Sequence, residues 1–199
     1  MEKEIKEIVL ELFAIDAIRF GEFTLKSGLS SPIYIDMRLI ISYPKLLKNI
    51  SRALWSLAAR LNFDHICGVP YTALPVATAI SLEHDIPMLL RRKEVKEYGT
   101  KKSIEGVFKL KERCLIIEDV VTSGSSILET ASALEKEGIV VEDALVILSR
   151  EQGGREKLKE RGIFLHPLLT IFDLLKLLFH EKRITEQTFT DVNHFLSIK

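Results

Sequence analysis

Apolar and polar positions follow a helical period at the amino-terminal end of the chain. Residues 2–13 carry apolar side chains on one helical face and Glu and Lys on the other, which predicts an amphipathic helix. A second helical pattern begins at Pro44 and continues to about Leu61. Between these helices, residues 17–25 and 32–36 have the composition of short strands, separated by turn residues at 26–28.

From residue 65 onwards, continuous apolar runs of strand length alternate with helical patterns. The runs cover 65–69, 87–90, 115–121 and 144–148, and the helical patterns cover 73–83, 126–137 and 155–161, with two more at 171–179 and 185–198. Buried strands that alternate with helices favour a parallel sheet covered on both faces. Residues 91–111 are polar and charged without a clear period, and connections of that length are usually functional or disordered.

Length, composition and charge narrow the class of protein. The 199 residues are 47% hydrophobic, which suits one folded α/β domain. The 28 basic residues balance 28 acidic ones, so we expect no nucleic-acid partner and no membrane held by a bulk positive field. The two cysteines have no CxxC spacing and the start lacks a basic signal sequence, which together favour a cytoplasmic protein.

The segment from Leu115 to Ser126 carries the strongest chemical signal. An apolar strand ends in Glu118-Asp119, two apolar residues follow, and Thr122-Ser-Gly-Ser-Ser126 then leads into a helical pattern. Backbone N–H groups, hydroxyls and the helix dipole at such a turn attract a phosphate. Acids beside it repel the anion unless sugar hydroxyls or a magnesium ion lie between them. The alternative is that the turn only caps a helix and the acids begin a solvated loop.

This segment resembles the phosphoribosyl-pyrophosphate (PRPP) signature of the type I phosphoribosyltransferases. The resemblance implies that the acids contact the ribose hydroxyls and that the turn binds the 5′-phosphate. It also implies the fold of that family, a mainly parallel central sheet flanked by helices with an amino-terminal hood. We therefore expect a single domain over 1–199, with the hood at about 1–40, the core at about 41–170 and carboxyl-terminal helices at about 171–199.

Further segments resemble the orotate phosphoribosyltransferases, and most closely the half of bifunctional uridine monophosphate synthases that carries this activity. They are residues 23–36, 67–75, 90–100 and 149–154. Two positions depart from the bacterial single-function pattern: Tyr98 stands where many loops have histidine, and Tyr71-Thr72 replaces a Tyr-Lys pair. A D-x-K-x-x-D decarboxylase signature is absent, so decarboxylation is not expected of this chain.

The resemblance implies a role for individual residues, which group by ligand. The PRPP-binding set is Lys26, Tyr71, Thr72, Arg92, Lys93, Lys96, Glu118, Asp119, Thr122, Ser123, Gly124, Ser125 and Ser126. The orotate-binding set is Lys26, Tyr34, Ile35, Thr122 and Arg150, the last pairing with the orotate carboxylate. The catalytic set is Lys93, Lys96 and Asp119. Mg²⁺ is the expected cofactor, held mainly by the substrate, with Asp119 as the candidate protein ligand.

The basic loop has support of its own. Residues 91–102 hold six positive and two negative side chains, a net charge of +4, and mobile cations stabilise a pyrophosphate leaving group. Each basic site also has a purely structural alternative. The loop would be a solvated surface loop, Lys26 a simple turn lysine, and Arg150 an exposed arginine paired with Glu151. The family resemblance further implies a homodimer in which loop 91–105 reaches the neighbouring active site.

The expected reaction converts orotate and PRPP into orotidine 5′-monophosphate and pyrophosphate, a step of pyrimidine biosynthesis. Two alternatives stay open. One is a phosphoribosyltransferase for a purine or another pyrimidine, which would have less use for Arg150. The other is a regulator that binds PRPP without catalysis, to which the zero net charge gives little support.

Overall fold

The computed structural model describes residues 2–24, 28, 30–93 and 103–197. The helices are α1 (Glu2–Ala14), α2 (Pro44–Ala58), α3 (Leu74–His84), α4 (Ser125–Lys136), α5 (Gly154–Glu160), α6 (Ile171–His180) and α7 (Glu186–Ser197). The strands are β1 (Ile18–Thr24), β2 (Ser30–Ile35), β3 (His65–Gly68), β4 (Met88–Arg91), β5 (Ile104–Glu105), β6 (Cys114–Val121), β7 (Asp143–Ser149) and β8 (Phe164–Thr170). A 3₁₀-helix over Met37–Ser42 precedes α2.

The central sheet has the strand order β5-β4-β3-β6-β7-β8. Its neighbouring strands are parallel except for β4 and β5, which are antiparallel. Helix α4 packs on β4 and β6, α2 packs on β7 and β8, and α5 packs on β8. The prediction of a mainly parallel sheet flanked by helices is confirmed.

The order of the strands creates a crevice between β3 and β6. The chain passes from β3 outwards to β4 on one side, and β6 and β7 then continue the sheet on the other side. The connections that leave β3 and β6 therefore run in opposite directions. In open α/β sheets the ligand binds at such a switch point, beyond the carboxyl ends of the strands.

Two strands of this sheet were not predicted from the sequence. β5 is a two-residue strand within the polar segment 91–111, too short to produce a period. β8 contains His166 and Pro167, which interrupt the strand signal. β8 lies at the edge of the sheet and has a neighbouring strand on one side only. A proline is tolerated there because its missing N–H can face the open edge. Helix α2 also ends at Ala58, earlier than the periodicity indicated.

The amino-terminal segment forms a separate antiparallel ribbon of β1 and β2. Helix α1 packs against β1, and α7 packs against β2. Ile18 and Ile33 of the ribbon are fully buried and belong to the same apolar cluster as the central strands. Nowhere in the described ranges is a helix both long and apolar enough to cross a membrane.

Candidate active site

The carboxyl ends of four adjacent parallel strands, β4, β3, β6 and β7, meet at one edge of the sheet. Two backbone hydrogen bonds join the segments that follow them: Val69 N–H donates to Ile117 O at 2.8 Å, and Arg150 N–H donates to Val121 O at 2.8 Å. The candidate residues after each strand therefore lie along one edge. Those residues are Tyr71 and Thr72 after β3, Arg92 and Lys93 after β4, Glu118–Ser126 at the end of β6, and Arg150 after β7.

The turn between β6 and α4 forms a small polar cradle. The first N–H groups of any helix lack an intrahelical partner, and the N-cap of α4, Gly124 with φ 73°, has no side chain that could bind them. The hydroxyl oxygens of Ser123 and Ser125 lie 3.0 Å apart. The cradle borders an open pocket of about 110 Å³, which is lined by the residues of the turn and by the end of β6, including Glu118. In the described ranges the two serine hydroxyls are recorded in contact with each other and not with a backbone N–H of the helix, which gives no support to the alternative of a simple helix cap.

Helix α5 supports this cradle from behind. A Cβ atom added to Gly154 would lie 2.6 Å from the carbonyl oxygen of Thr122 and 3.1 Å from the amide nitrogen of Gly124. A Cβ on Gly124 would in turn lie 3.1 Å from Cγ of Leu158. Gly153 is the N-cap of α5 and Gly154 is its first residue. The sequence did not indicate the contact between α5 and the cradle, because the two segments are distant along the chain.

The two acids of the motif lie at the end of β6, at the rim of the cradle. Oε1 of Glu118 accepts a hydrogen bond from Asp119 N–H at 2.9 Å, and Oδ1 of Asp119 accepts one from Val120 N–H at 2.8 Å. Glu118 is only 6% exposed, so the alternative of a solvated loop is wrong at this position. Burial, together with the nearby Asp119 carboxyl group, raises the pKa of Glu118 to about 9.

We predict that Glu118→Gln stabilises the protein in neutral and alkaline solution. The pKa of Glu118 rises from its usual 4.5 to about 9 on folding, so its stabilising contribution is complete below pH 4.5 and is lost as the pH rises towards 9. Glutamine has no proton to lose, so the variant is expected to gain about 1–3 kcal/mol at pH 8.5 relative to wild type.

Urea unfolding at pH 5, 7 and 8.5 measures this difference. Glu156→Gln, which removes an exposed acid from α5, is the control and should follow the wild-type curve. A constant offset between Glu118→Gln and wild type at all three pH values would contradict the prediction.

The acids also decide whether a magnesium ion fits the site. In the described ranges no group of three or more His, Cys, Asp and Glu side chains is arranged to hold a metal. Asp119 nevertheless uses only one carboxylate oxygen for a backbone N–H and keeps the second one. One or two carboxylate oxygens, completed by substrate oxygens, are a usual site for Mg²⁺. The residues present therefore fit an ion that is held mainly by its substrate.

Arg150 presents a half-buried positive charge at this edge. Its Nε is buried and has no hydrogen-bond partner within the described part of the chain, and burial lowers the pKa of the guanidinium. Glu151 pairs instead with Arg155, at 3.4 Å between Oε1 and Nη2. The alternative of an Arg150–Glu151 pair is therefore wrong. A partly buried cation without an acidic partner loses hydration that nothing replaces, and a planar carboxylate ligand would satisfy it bidentately.

The basic segment is described at its two ends only. Arg91 is fixed to α4, where Nη1 donates to Oγ1 of Thr130 at 3.0 Å. Arg92 pairs with Glu105 at 2.5 Å. The ammonium of Lys93 lies 5.2 Å from the centre of the Tyr71 ring, so the ends of β3 and β4 meet here. Lys96 and Tyr98 lie outside the described residues, as does Lys26.

Tyr34 and Ile35 lie on β2 of the ribbon. The Tyr34 ring lies 5.4 Å from the Phe23 ring and 4.9 Å from Cζ of Arg19, and its hydroxyl accepts a hydrogen bond from Arg38 at 3.3 Å. Within the described ranges no hydrogen bond joins Tyr34 to the carboxyl edge of the sheet. Its place in a base pocket therefore stays a prediction.

Comparison with known proteins gives one consistent family. Residues 37–163 match the model of the phosphoribosyl transferase domain. The chain is 52% identical over 191 residues to uridine 5′-monophosphate synthase of Bos taurus. The aligned region covers 95% of this chain and 40% of that protein. It is 47% identical over 180 residues to orotate phosphoribosyltransferase of Chlamydia caviae, covering 89% of this chain and 87% of that protein.

A solved structure agrees with these relatives. The UMP synthase of Leishmania donovani superimposes with a TM-score of 0.87 at 36% identity, over 96% of this chain and 42% of that one. The chain thus spans less than half of the two synthases but most of the chlamydial protein.

Proposed function

The chain belongs to the phosphoribosyl transferase domain family, among the orotate phosphoribosyltransferases, and on that premise we propose that it transfers the 5-phosphoribosyl group of PRPP to orotate. The products are orotidine 5′-monophosphate and pyrophosphate, in the biosynthesis of UMP. One observation carries the choice of base: Arg150 is a half-buried guanidinium whose buried Nε has no described partner, on the edge that also holds the phosphate cradle. A neutral purine would leave that charge unpaired, whereas the orotate carboxylate pairs with it.

In this proposal PRPP lies across the crevice between β3 and β6. Its 5′-phosphate is held by the N–H groups and hydroxyls of Thr122–Ser126, and its ribose hydroxyls by Glu118 and Asp119. Its pyrophosphate faces Tyr71 and Thr72, with the basic residues Lys26, Arg92, Lys93 and Lys96. The support is that the described members of these sets lie along one edge of the sheet.

Orotate is placed on the other side of the anomeric carbon. Its carboxylate pairs with Arg150, and Lys26, Tyr34, Ile35 and Thr122 complete the pocket. The backbone bond between Arg150 and Val121 ties the carboxylate site to the start of the phosphate turn. Base and sugar are thereby held at a fixed separation, which lowers the entropic cost of reaching the reactive geometry.

In the chemical step the bond from the anomeric carbon to pyrophosphate breaks, a bond to an orotate nitrogen forms, and the proton of that nitrogen is released to pyrophosphate or solvent. Positive charge develops on the ribose and negative charge on the leaving group. Asp119 stabilises the first, and Lys93 and Lys96 stabilise the second, because preorganised charges act on the transition state without reorganisation. Mg²⁺, when bound, would supply further charge neutralisation to the pyrophosphate and the ribose oxygens.

We further propose a homodimer and a cytoplasmic location. The dimer is supported by the resemblance of residues 90–100 to a loop that serves the neighbouring subunit, so that loop 91–105 would complete the partner's site. The location is supported by Cys67 and Cys114, which are buried free thiols, as expected in a reducing compartment.

A substrate panel tests the proposed reaction. With PRPP and Mg²⁺, we expect the absorbance of orotate to fall and pyrophosphate to accumulate in equal amount, because one is consumed as the other is released. Uracil, hypoxanthine and adenine should give no pyrophosphate above background, since none carries the carboxylate that Arg150 pairs with.

Two results would contradict this function. Turnover of one of the other bases without turnover of orotate would indicate a different phosphoribosyltransferase. Binding of PRPP without pyrophosphate release from any base would indicate a regulator.

A further inference from the structure

The phosphate cradle lacks a positive side chain among the residues that line it. These residues, from Glu118 to Ile127, include no Lys or Arg, and Asp119 adds a negative charge at the rim. A phosphate monoester carries a charge of about −1.5 to −2 at pH 7. The N-terminus of a helix contributes only about half an elementary charge of the opposite sign. The electrostatic balance of the cradle therefore calls for a cation from another element.

Lys157 of α5 is placed to supply it. Its Nζ lies 3.4 Å from the hydroxyl oxygen of Ser125, which in turn lies 3.0 Å from the hydroxyl of Ser123. The ammonium thus extends the chain of donors at the mouth of the cradle. Within the described ranges Lys157 has no carboxylate within ion-pair distance, so its positive charge is not neutralised by an ion pair.

The position of Lys157 is set by the packing of α5 against the turn. Gly154 contacts Thr122 O so closely that a Cβ has no room, and Leu158 is fully buried against Gly124. Residues 154, 157 and 158 share one face of the helix. Lys157 is therefore held over the cradle by its two neighbours on that face.

We propose that Lys157 is a phosphate-binding residue that contacts the 5′-phosphate of PRPP. This inference rests on the proposed function and adds to the cradle a residue outside the signature sequence. A charge-assisted hydrogen bond to phosphate is stronger than the bond to Ser125 that the ammonium makes without ligand. On binding, the ammonium is expected to turn from the serine hydroxyl to the phosphate.

Ribose 5-phosphate is the probe that isolates this contact, because it lacks the pyrophosphate group. Calorimetry should give about 10-fold weaker binding for Lys157→Gln, and the KM for PRPP should rise to a similar extent. Lys159→Gln removes the same charge from an exposed position on the same helix and should bind like wild type. Lys157→Arg should recover most of the affinity, because arginine keeps the charge.

The outcomes separate this inference from the proposed function. Equal ribose 5-phosphate affinities for Lys157→Gln and Lys159→Gln, in a protein that turns over orotate, would overturn the role of Lys157 alone. A wild-type protein that neither binds ribose 5-phosphate nor consumes orotate would overturn both. Unchanged pyrophosphate affinity and unchanged thermal unfolding in Lys157→Gln would support a local contact with the 5′-phosphate over a structural role.

Discussion

Arg150→Ala is expected to reduce kcat/KM for orotate by about 100- to 1,000-fold. The side chain is half-buried, its buried Nε has no partner in the described ranges, and Glu151 is already engaged by Arg155. In this variant an incoming carboxylate would thus lose its bidentate ionic partner. The KM for PRPP should change less than threefold, because the phosphate cradle is formed by other residues.

Steady-state kinetics with each substrate varied in turn measure this effect. Arg155→Ala is the matched control: it removes a nearby arginine that is paired on the surface, and its kcat/KM should stay within twofold of wild type. Arg150→Lys should recover only part of the loss, because an ammonium cannot bind a carboxylate bidentately. If Arg150→Ala and Arg155→Ala behaved alike, Arg150 would not be the carboxylate partner.

Gly154→Ala is expected to disrupt the phosphate cradle. The added Cβ would lie 2.6 Å from Thr122 O and 2.7 Å from Cγ1 of Val121, and the first of these is backbone that cannot move aside without moving the turn. Overpacking of this kind costs about 1–3 kcal/mol of stability. The displaced turn should also raise the KM for PRPP by about 100-fold, because a displacement of binding groups by about 1 Å can weaken their action by that factor.

Gly153→Ala separates the clash from the loss of a glycine. Gly153 has φ 84°, and a Cβ there would meet nothing within 4 Å, so its replacement introduces backbone strain alone. This control should lose about 1 kcal/mol with little change in the KM for PRPP. Chemical denaturation and PRPP kinetics on both variants provide the comparison. An equal rise in KM in both would show that close packing at Gly154 does not shape the cradle.

The main lines of the fold were predictable because they rest on local periodicity. The run Leu115–Ile117 is apolar throughout, as a strand buried on both faces requires, and the residues after Gly124 repeat with a helical period. Strand β8 was missed because Pro167 contradicts a strand in an interior position, and only its place at the edge of the sheet makes it tolerable.

The candidate site divides in the same way. The sequence by itself determined the strand–turn–helix unit from Cys114 to Lys136, since its residue types and spacing are local properties. Tertiary structure alone decided that Glu151 pairs with Arg155 and not with Arg150. It also decided that Gly154 and Lys157 contact the turn at 122–125, about 30 residues earlier in the chain. The hydrogen bond between Lys157 and Ser125 spans 32 residues. Such contacts exist because β7 lies beside β6 in the sheet and returns the chain to the same edge, and no local pattern encodes that arrangement.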